Sequence, residues 1–129
     1  MTVRNSILSL ILMGLVGYLV IVPSMTVGKS DFNPDVSFEL VKHGALLIDA
    51  RSPEEYNSRH IKGAINIPHL EIQKNADLFE KLTKNDKTKA IVVYCASGRR
   101  SGIAKKTLEK LGYTNVTNHG GIGSWKQGE

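Results

Sequence analysis

Cys95 is the single cysteine in this chain of 129 residues. It follows the apolar run Ile91-Val92-Val93-Tyr94 and opens the segment Cys95-Ala96-Ser97-Gly98-Arg99-Arg100-Ser101. The stretch after it, Gly102 to Leu111, has helical spacing. The order is therefore buried strand, tight loop of small residues, helix. Such a loop turns successive backbone N–H groups toward one point, backed by the positive end of the helix. A cradle of this kind binds an anion. It also lowers the pKa of a thiol held in it, which makes a thiolate nucleophile. The bland alternative is a small buried residue at a strand end. Two arginines and a glycine-bearing turn would add nothing to a core, so the nucleophile reading is preferred.

The elements that must position this loop alternate. Asp35 or Ser37 is expected to cap a short helix through Lys42, ended by Gly44. Ala45-Leu46-Leu47-Ile48 reads as a buried strand ending at Asp49. Ser52-Pro53-Glu54-Glu55 is a helix start, with an N-cap, a proline at the first position and acids in the first turn. Ala64 to Ile67 reads as a short strand stopped by Pro68. An amphipathic helix with a ragged start is predicted over Leu70 to Leu82. The central strand spans Ala90 to Tyr94, and the next helix spans Ser101 to Leu111. A short strand at Asn115 to Thr117, a turn at Gly120-Gly121 and a last helical turn over Ile122 to Lys126 complete the pattern. Alternation of this kind predicts an α/β domain with a mainly parallel central sheet and helices on both faces. Ligands of such sheets sit beyond the carboxyl ends of the strands, where Cys95 and Asp49 both fall.

Residues 5–28 carry no charge, follow Arg4 and are densely apolar from Ile7 to Val22. They read as an N-terminal hydrophobic helix, either a signal peptide or a retained membrane anchor, within residues 1–28. The domain proper is then 29–129, exported, with membrane contact through residues 5–28 if they are not cleaved. Of the 17 basic residues 16 follow Gly28, against all 12 acidic ones, a modest excess that suits an anionic partner. Lys81, Lys84, Lys87 and Lys89 form a mild cluster without interleaved aromatics, which argues against nucleic-acid binding. A lone cysteine excludes an internal disulfide framework. His43, His60, His69 and His119 show no metal-ligand spacing, so neither a metal nor another cofactor is expected.

Three signatures in order resemble the rhodanese family of sulfurtransferases over about residues 36–125. They are Asp49-Ala50-Arg51 with Glu55-Tyr56 and His60-Ile61-Lys62-Gly63-Ala64-Ile65-Asn66-Ile67-Pro68; Tyr94-Cys95-Ala96-Ser97-Gly98-Arg99-Arg100-Ser101; and Leu111-Gly112-Tyr113-Thr114-Asn115-Val116 with Gly120-Gly121 and Trp125. Arg59 stands where many members have glycine, a departure expected to be harmless. The hydrophobic leader makes the chain similar to the small periplasmic members found in bacteria. The resemblance implies a two-step transfer. Cys95 takes the outer sulfur of an anionic donor such as thiosulfate, carries it as a persulfide, and gives it to cyanide or to a thiol acceptor, small or on a protein. It implies a substrate-binding loop of Ala96, Ser97, Gly98, Arg99, Arg100 and Ser101. Within that loop Arg99 is the rim side chain that meets the donor, while Arg100 points back across the loop or pairs with an acid. Ser101 is expected to cap the following helix. Asp49 and Arg51 are expected to be supporting residues, Asp49 holding the loop or Arg100 and Arg51 pairing with Glu54 or Glu55. His60 is expected to make a structural hydrogen bond and Trp125 to be core; for His119, before Gly120, a place at the mouth of the site is open but not the preferred reading.

Two other readings compete. Phosphatases of the Cys-Arg loop type place five residues between cysteine and arginine, whereas four, Ala96 to Arg99, separate Cys95 from Arg100. A non-enzymatic persulfide carrier or envelope-stress binding module is the other; it would hold sulfur on Cys95 but turn over slowly with every small acceptor.

Overall fold

The computed structural model describes residues 32–125. The apolar segment and Lys126 lie outside the described residues. Among the described residues no helix is long and apolar enough to cross a membrane.

Helix α1 spans Pro34–Lys42, with proline in its first turn and Asn33 at its N-cap. It starts earlier than expected, because the fixed φ of Pro34 already suits a helix. Ser37 is therefore inside the helix rather than at its cap, and its hydroxyl donates back to the Asn33 carbonyl at 2.7 Å. Strand β1 spans Leu46–Asp49 and helix α2 spans Pro53–Ser58. Helix α2 begins at the expected N-cap, Ser52, and the structure completes it as a capping box. The Ser52 side chain accepts from the Glu55 N–H, and the Glu55 side chain accepts from the Ser52 N–H. Strand β2 is only Ile65–Asn66. The ragged helix start resolves into two 3₁₀ turns, His69–Glu71 and Gln73–Asn75, before helix α3 at Ala76–Thr83. Strand β3 spans Ile91–Cys95, helix α4 spans Arg99–Lys110, strand β4 spans Val116–Gly121, and a 3₁₀ turn follows at Ile122–Ser124.

The four strands run parallel in the order β2-β1-β3-β4. Side chains alternate across the sheet, as the two-residue period of a strand requires. Ile48, Ile91 and Val93 face one layer with Phe79 of α3 and Ala104 and Leu108 of α4. Leu47, Val92 and Tyr94 face the other, with Leu40 and Val41 of α1, Tyr56 of α2, and Trp125. Helices thus cover both faces, and Trp125 packs against the core as expected.

Strand β4 corrects the sequence reading. The predicted turn at Gly120-Gly121 is strand, and the pairing with β3 slips one residue there: Val93 meets Asn118, but Tyr94 meets Gly120. The bulge is closed by the Asn118 side chain, whose Oδ1 accepts the Gly120 N–H at 2.9 Å. Gly120 has φ +98°, which a glycine adopts without strain.

Candidate active site

The carboxyl ends of β1, β3 and β4 meet around Cys95. Strand β3 delivers Cys95 fully buried. The chain then turns through Ala96 and Ser97, both exposed, to Gly98, which caps α4 with φ +99°. The positive φ selects glycine at Gly98, where a Cβ would also displace the Phe32 ring. Strand β4 approaches the loop as closely. A Cβ on Gly121 would lie 2.6 Å from the Ala96 carbonyl oxygen.

The sulfur sits at the N-terminal end of α4. The Gly98 N–H donates to Sγ at 2.9 Å, and the Ser101 hydroxyl lies 3.3 Å from it. Burial pushes the thiol up, but hydrogen bonds from the Ser101 hydroxyl and the backbone of Ser101, Ser97 and Gly98 outweigh it and bring the thiol below its ordinary value. The site therefore stabilises the thiolate relative to an ordinary cysteine, the direction expected of such a loop.

Ser101 does not cap α4. The helix begins at Arg99, so Ser101 lies in its first turn and its hydroxyl faces back to the sulfur, the Gly98 carbonyl and Asn118. Of the two placements open to Arg100 the structure shows the pairing with an acid, and that acid is Glu55. Nη1 donates to Oε1 at 2.7 Å and Nη2 to Oε2 at 2.9 Å. This bidentate pair, together with the Ser52 cap, holds the Glu55 carboxyl down at about 2. Arg99 is exposed at the rim and lines a groove with Ser97, Gly98, Lys105 and Lys106.

The supporting residues differ in their partners from the sequence expectation. Asp49, fully buried, does not reach Arg100 by hydrogen bond. It accepts from Arg51 Nη2 and from Tyr94 Oη, each at 2.7 Å, and from the Arg51 N–H at 2.9 Å. Arg51 pairs with this carboxylate two residues back rather than with Glu54 or Glu55, because Glu55 is already held by Arg100 and the helix cap. Arg51 also donates to the Arg59 carbonyl. Arg59 itself has φ −164°, extended backbone open to any residue, so its replacement of a glycine is accommodated.

His60 makes the expected structural bond, Nδ1 to the Tyr56 carbonyl at 2.8 Å, and stacks on the Tyr56 ring. His119 does not reach the site mouth. It is 1% exposed, its ring meets Trp125 edge-on at 5.1 Å, and it lines a separate cleft of about 280 Å³ with Pro34, Phe38 and Trp125. The bulge at this point in β4 turns its side chain toward α1 and away from the loop.

Two neighbours escaped the sequence reading. His69, on the turn after β2, lies near both loop arginines. Burial first, then Arg100 and Arg99, push its imidazole down. Its signal was position, directly after Pro68 at the carboxyl end of a strand. Asn118 binds both Gly98 and Ser101. Its signal was an asparagine two residues before a glycine, the spacing of an Asx-turn.

Among the described residues no group of three or more His, Cys, Asp or Glu side chains is placed to hold a metal ion. The chemistry open to the site is nucleophilic attack by an anionic sulfur inside a ring of hydrogen-bond donors.

Comparison with known proteins agrees with this geometry. The chain is 44% identical over 75 residues to thiosulfate sulfurtransferase PspE of Escherichia coli, covering 58% of this chain and 68% of that protein. It is 36% identical over 88 residues to the thiosulfate:glutathione sulfurtransferase of Saccharomyces cerevisiae, covering 62% of this chain and 63% of that one. Among solved structures, a rhodanese with anions from E. coli superposes with a TM-score of 0.56 at 41% identity, over 63% of this chain and 91% of that one. The profile of the rhodanese-like domain matches residues 36–128. With the signatures, the parallel sheet and the cysteine loop in agreement, the chain belongs to the rhodanese-like domain family.

Proposed function

We propose that the protein is a rhodanese-type sulfurtransferase that moves a sulfane sulfur from thiosulfate, or a similar anionic donor, to cyanide or a thiol acceptor. The observation that carries this reading is the Cys95 sulfur at the floor of the loop, with the Gly98 N–H at 2.9 Å and the Ser101 hydroxyl at 3.3 Å. The names of the E. coli and yeast relatives support the reaction class.

In the first step the Cys95 thiolate attacks the outer sulfur of thiosulfate. The S–S bond of thiosulfate breaks, its electron pair leaves with sulfite, and Cys95 carries a persulfide with the negative charge on the outer sulfur. In the second step the acceptor attacks that outer sulfur and the Cys95 thiolate is restored. With cyanide the product is thiocyanate. Charge lies within the loop throughout, so preorganised backbone donors over Ala96–Ser101 stabilise both the thiolate and the persulfide. Arg99 at the rim draws the dianion in. Asp49 and Arg51 brace the carboxyl end of β1 behind the loop, and Arg100 anchors the start of α4 to Glu55. Engagement of both Arg100 nitrogens by Glu55 also weighs against phosphatase chemistry, in which the loop arginine must hold the phosphate. The reading extends to an exported domain, soluble or anchored through residues 5–28.

The test is a thiosulfate-to-cyanide assay on the full chain beside Cys95→Ser. Thiocyanate that forms with the wild type and vanishes in the variant is the expected result. No thiocyanate, and no mass gain of one sulfur on Cys95 after thiosulfate, would sink the proposal. A stable added sulfur without turnover would shift it to the carrier.

A further inference from the structure

Asn118 lies on β4, 1% exposed, and both ends of its amide are engaged. Nδ2 donates to the Gly98 carbonyl at 3.2 Å, and Oδ1 accepts the Gly120 N–H at 2.9 Å. These two bonds decide which end of the amide faces which neighbour. The oxygen is thereby turned to Ser101, whose hydroxyl lies 2.7 Å from it and 3.3 Å from the Cys95 sulfur. The hydroxyl also lies 3.1 Å from the Gly98 carbonyl. A serine hydroxyl has one proton to donate. It cannot give that proton to the sulfur and to Asn118 at once.

We propose that Asn118 is a positioning residue, competing with the Cys95 sulfur for the Ser101 proton and so setting the share of Cys95 held as thiolate. The inference rests on Cys95 being the nucleophile. Beside a neutral thiol, Ser101 donates to Asn118. When the sulfur loses its proton, the hydroxyl turns to the sulfur. Asn118 Oδ1 keeps the Gly120 N–H through the swing, so no buried acceptor is left bare. Once Cys95 carries the second sulfur, the charge sits on the outer atom and the hydroxyl returns to Asn118. Each turnover thus moves one hydrogen bond across the floor of the site, and no covalent bond at Ser101 or Asn118 breaks.

The charged and titratable groups around this floor are Arg99 and Arg100 on α4, Glu55 on α2, and His69 on the turn after β2. Behind them lie the Asp49–Arg51 pair and Tyr94 at the ends of β1 and β3; on β4 the nearest such group in sequence is His119, turned to α1. Asn118 is uncharged, so its effect is carried by the hydroxyl.

The test is the pH profile of iodoacetamide alkylation in the full chain, which reports on Cys95 alone because no other cysteine is present. Asn118→Leu removes the nearer competing acceptor, at 2.7 Å, and leaves only the Gly98 carbonyl at 3.1 Å. It is expected to move the midpoint down by about half a pH unit, or about threefold faster alkylation below the midpoint. Ser101→Ala is expected to move the midpoint up, and in that background Asn118→Leu should leave the profile where it is. A merely structural role predicts the opposite sign, since a loosened loop loses donors to the sulfur. An upward or absent shift in an Asn118→Leu chain that melts cooperatively overturns the proposal, as does an equal shift in both backgrounds. Should Asn118→Leu not fold, Asn118→Asp, of the same size, decides. Its stronger acceptor is expected to raise the midpoint, and by less when Ser101 is alanine; equal increments overturn the proposal. Alkylation needs no sulfur transfer, so a wild-type chain that takes no sulfur from thiosulfate would sink the sulfurtransferase reading without touching this result.

Discussion

The loop around Cys95 sets burial against hydrogen bonding, and hydrogen bonding prevails because several donors converge on one sulfur. The same contest decides Glu55, where desolvation is opposed by both guanidinium nitrogens of Arg100. Its carboxyl titrates at about 2 in the folded chain, down from 4.5. A depressed carboxyl contributes stability above its unfolded pKa and loses it as pH falls through its folded one. The gap in melting temperature between wild type and Glu55→Gln is therefore expected to be full at neutral pH. It should shrink from pH 4.5 downward and be nearly gone near pH 2. Melting curves over that range check this; a gap that stays constant would show that Glu55 acts by packing alone. The sequence left Arg100 either pointing back across the loop or pairing with an acid, because the partner that decides it lies 45 residues away on another helix.

Elements hold the site by close approach and by one buried ion pair. The Gly121 backbone leaves no room for a side chain beside the Ala96 carbonyl, and both atoms belong to main chain that cannot swing aside. Gly121→Ala is expected to displace the loop and cut kcat/KM with thiosulfate by about a hundredfold, in line with the cost of a misplacement near 1 Å. Circular dichroism should stay close to wild type; an unchanged rate would show that the loop yields freely. Asp49 is fully buried against Arg51, itself 6% exposed. Asp49→Ala would leave that guanidinium without its carboxylate and the Tyr94 hydroxyl without its acceptor. A loss of about 3–5 kcal/mol in denaturant unfolding is expected. A loss under about 1 kcal/mol would mean that water reaches Arg51. These partners were misread from sequence because Arg51 has acids on both sides in the chain, and only the turn after β1 shows which one it meets.

Across the described residues, Arg99, Lys105 and Lys106, against the single acid Glu109, give a basic balance to one groove that opens at the loop. Attraction of a dianion to exposed charges weakens as salt shortens its range, to about 10 Å at 0.1 M. The KM for thiosulfate is expected to rise several-fold between low and moderate ionic strength, with kcat little changed. Steady-state kinetics at fixed pH would show it; a KM independent of salt would place donor binding wholly inside the loop. The sequence by itself determined the alternation of strands and helices, the capped start of α2 and the loop that follows Cys95, since each depends on neighbours within a few residues. Tertiary structure decided the rest. The bulge in β4, the turning of His119 to the α1 side and the meeting of Asn118 with Ser101 arise where one strand slips by a single residue against another. Such a slip reverses which face a side chain reaches, and it is set by pairing between strands that lie far apart in the chain.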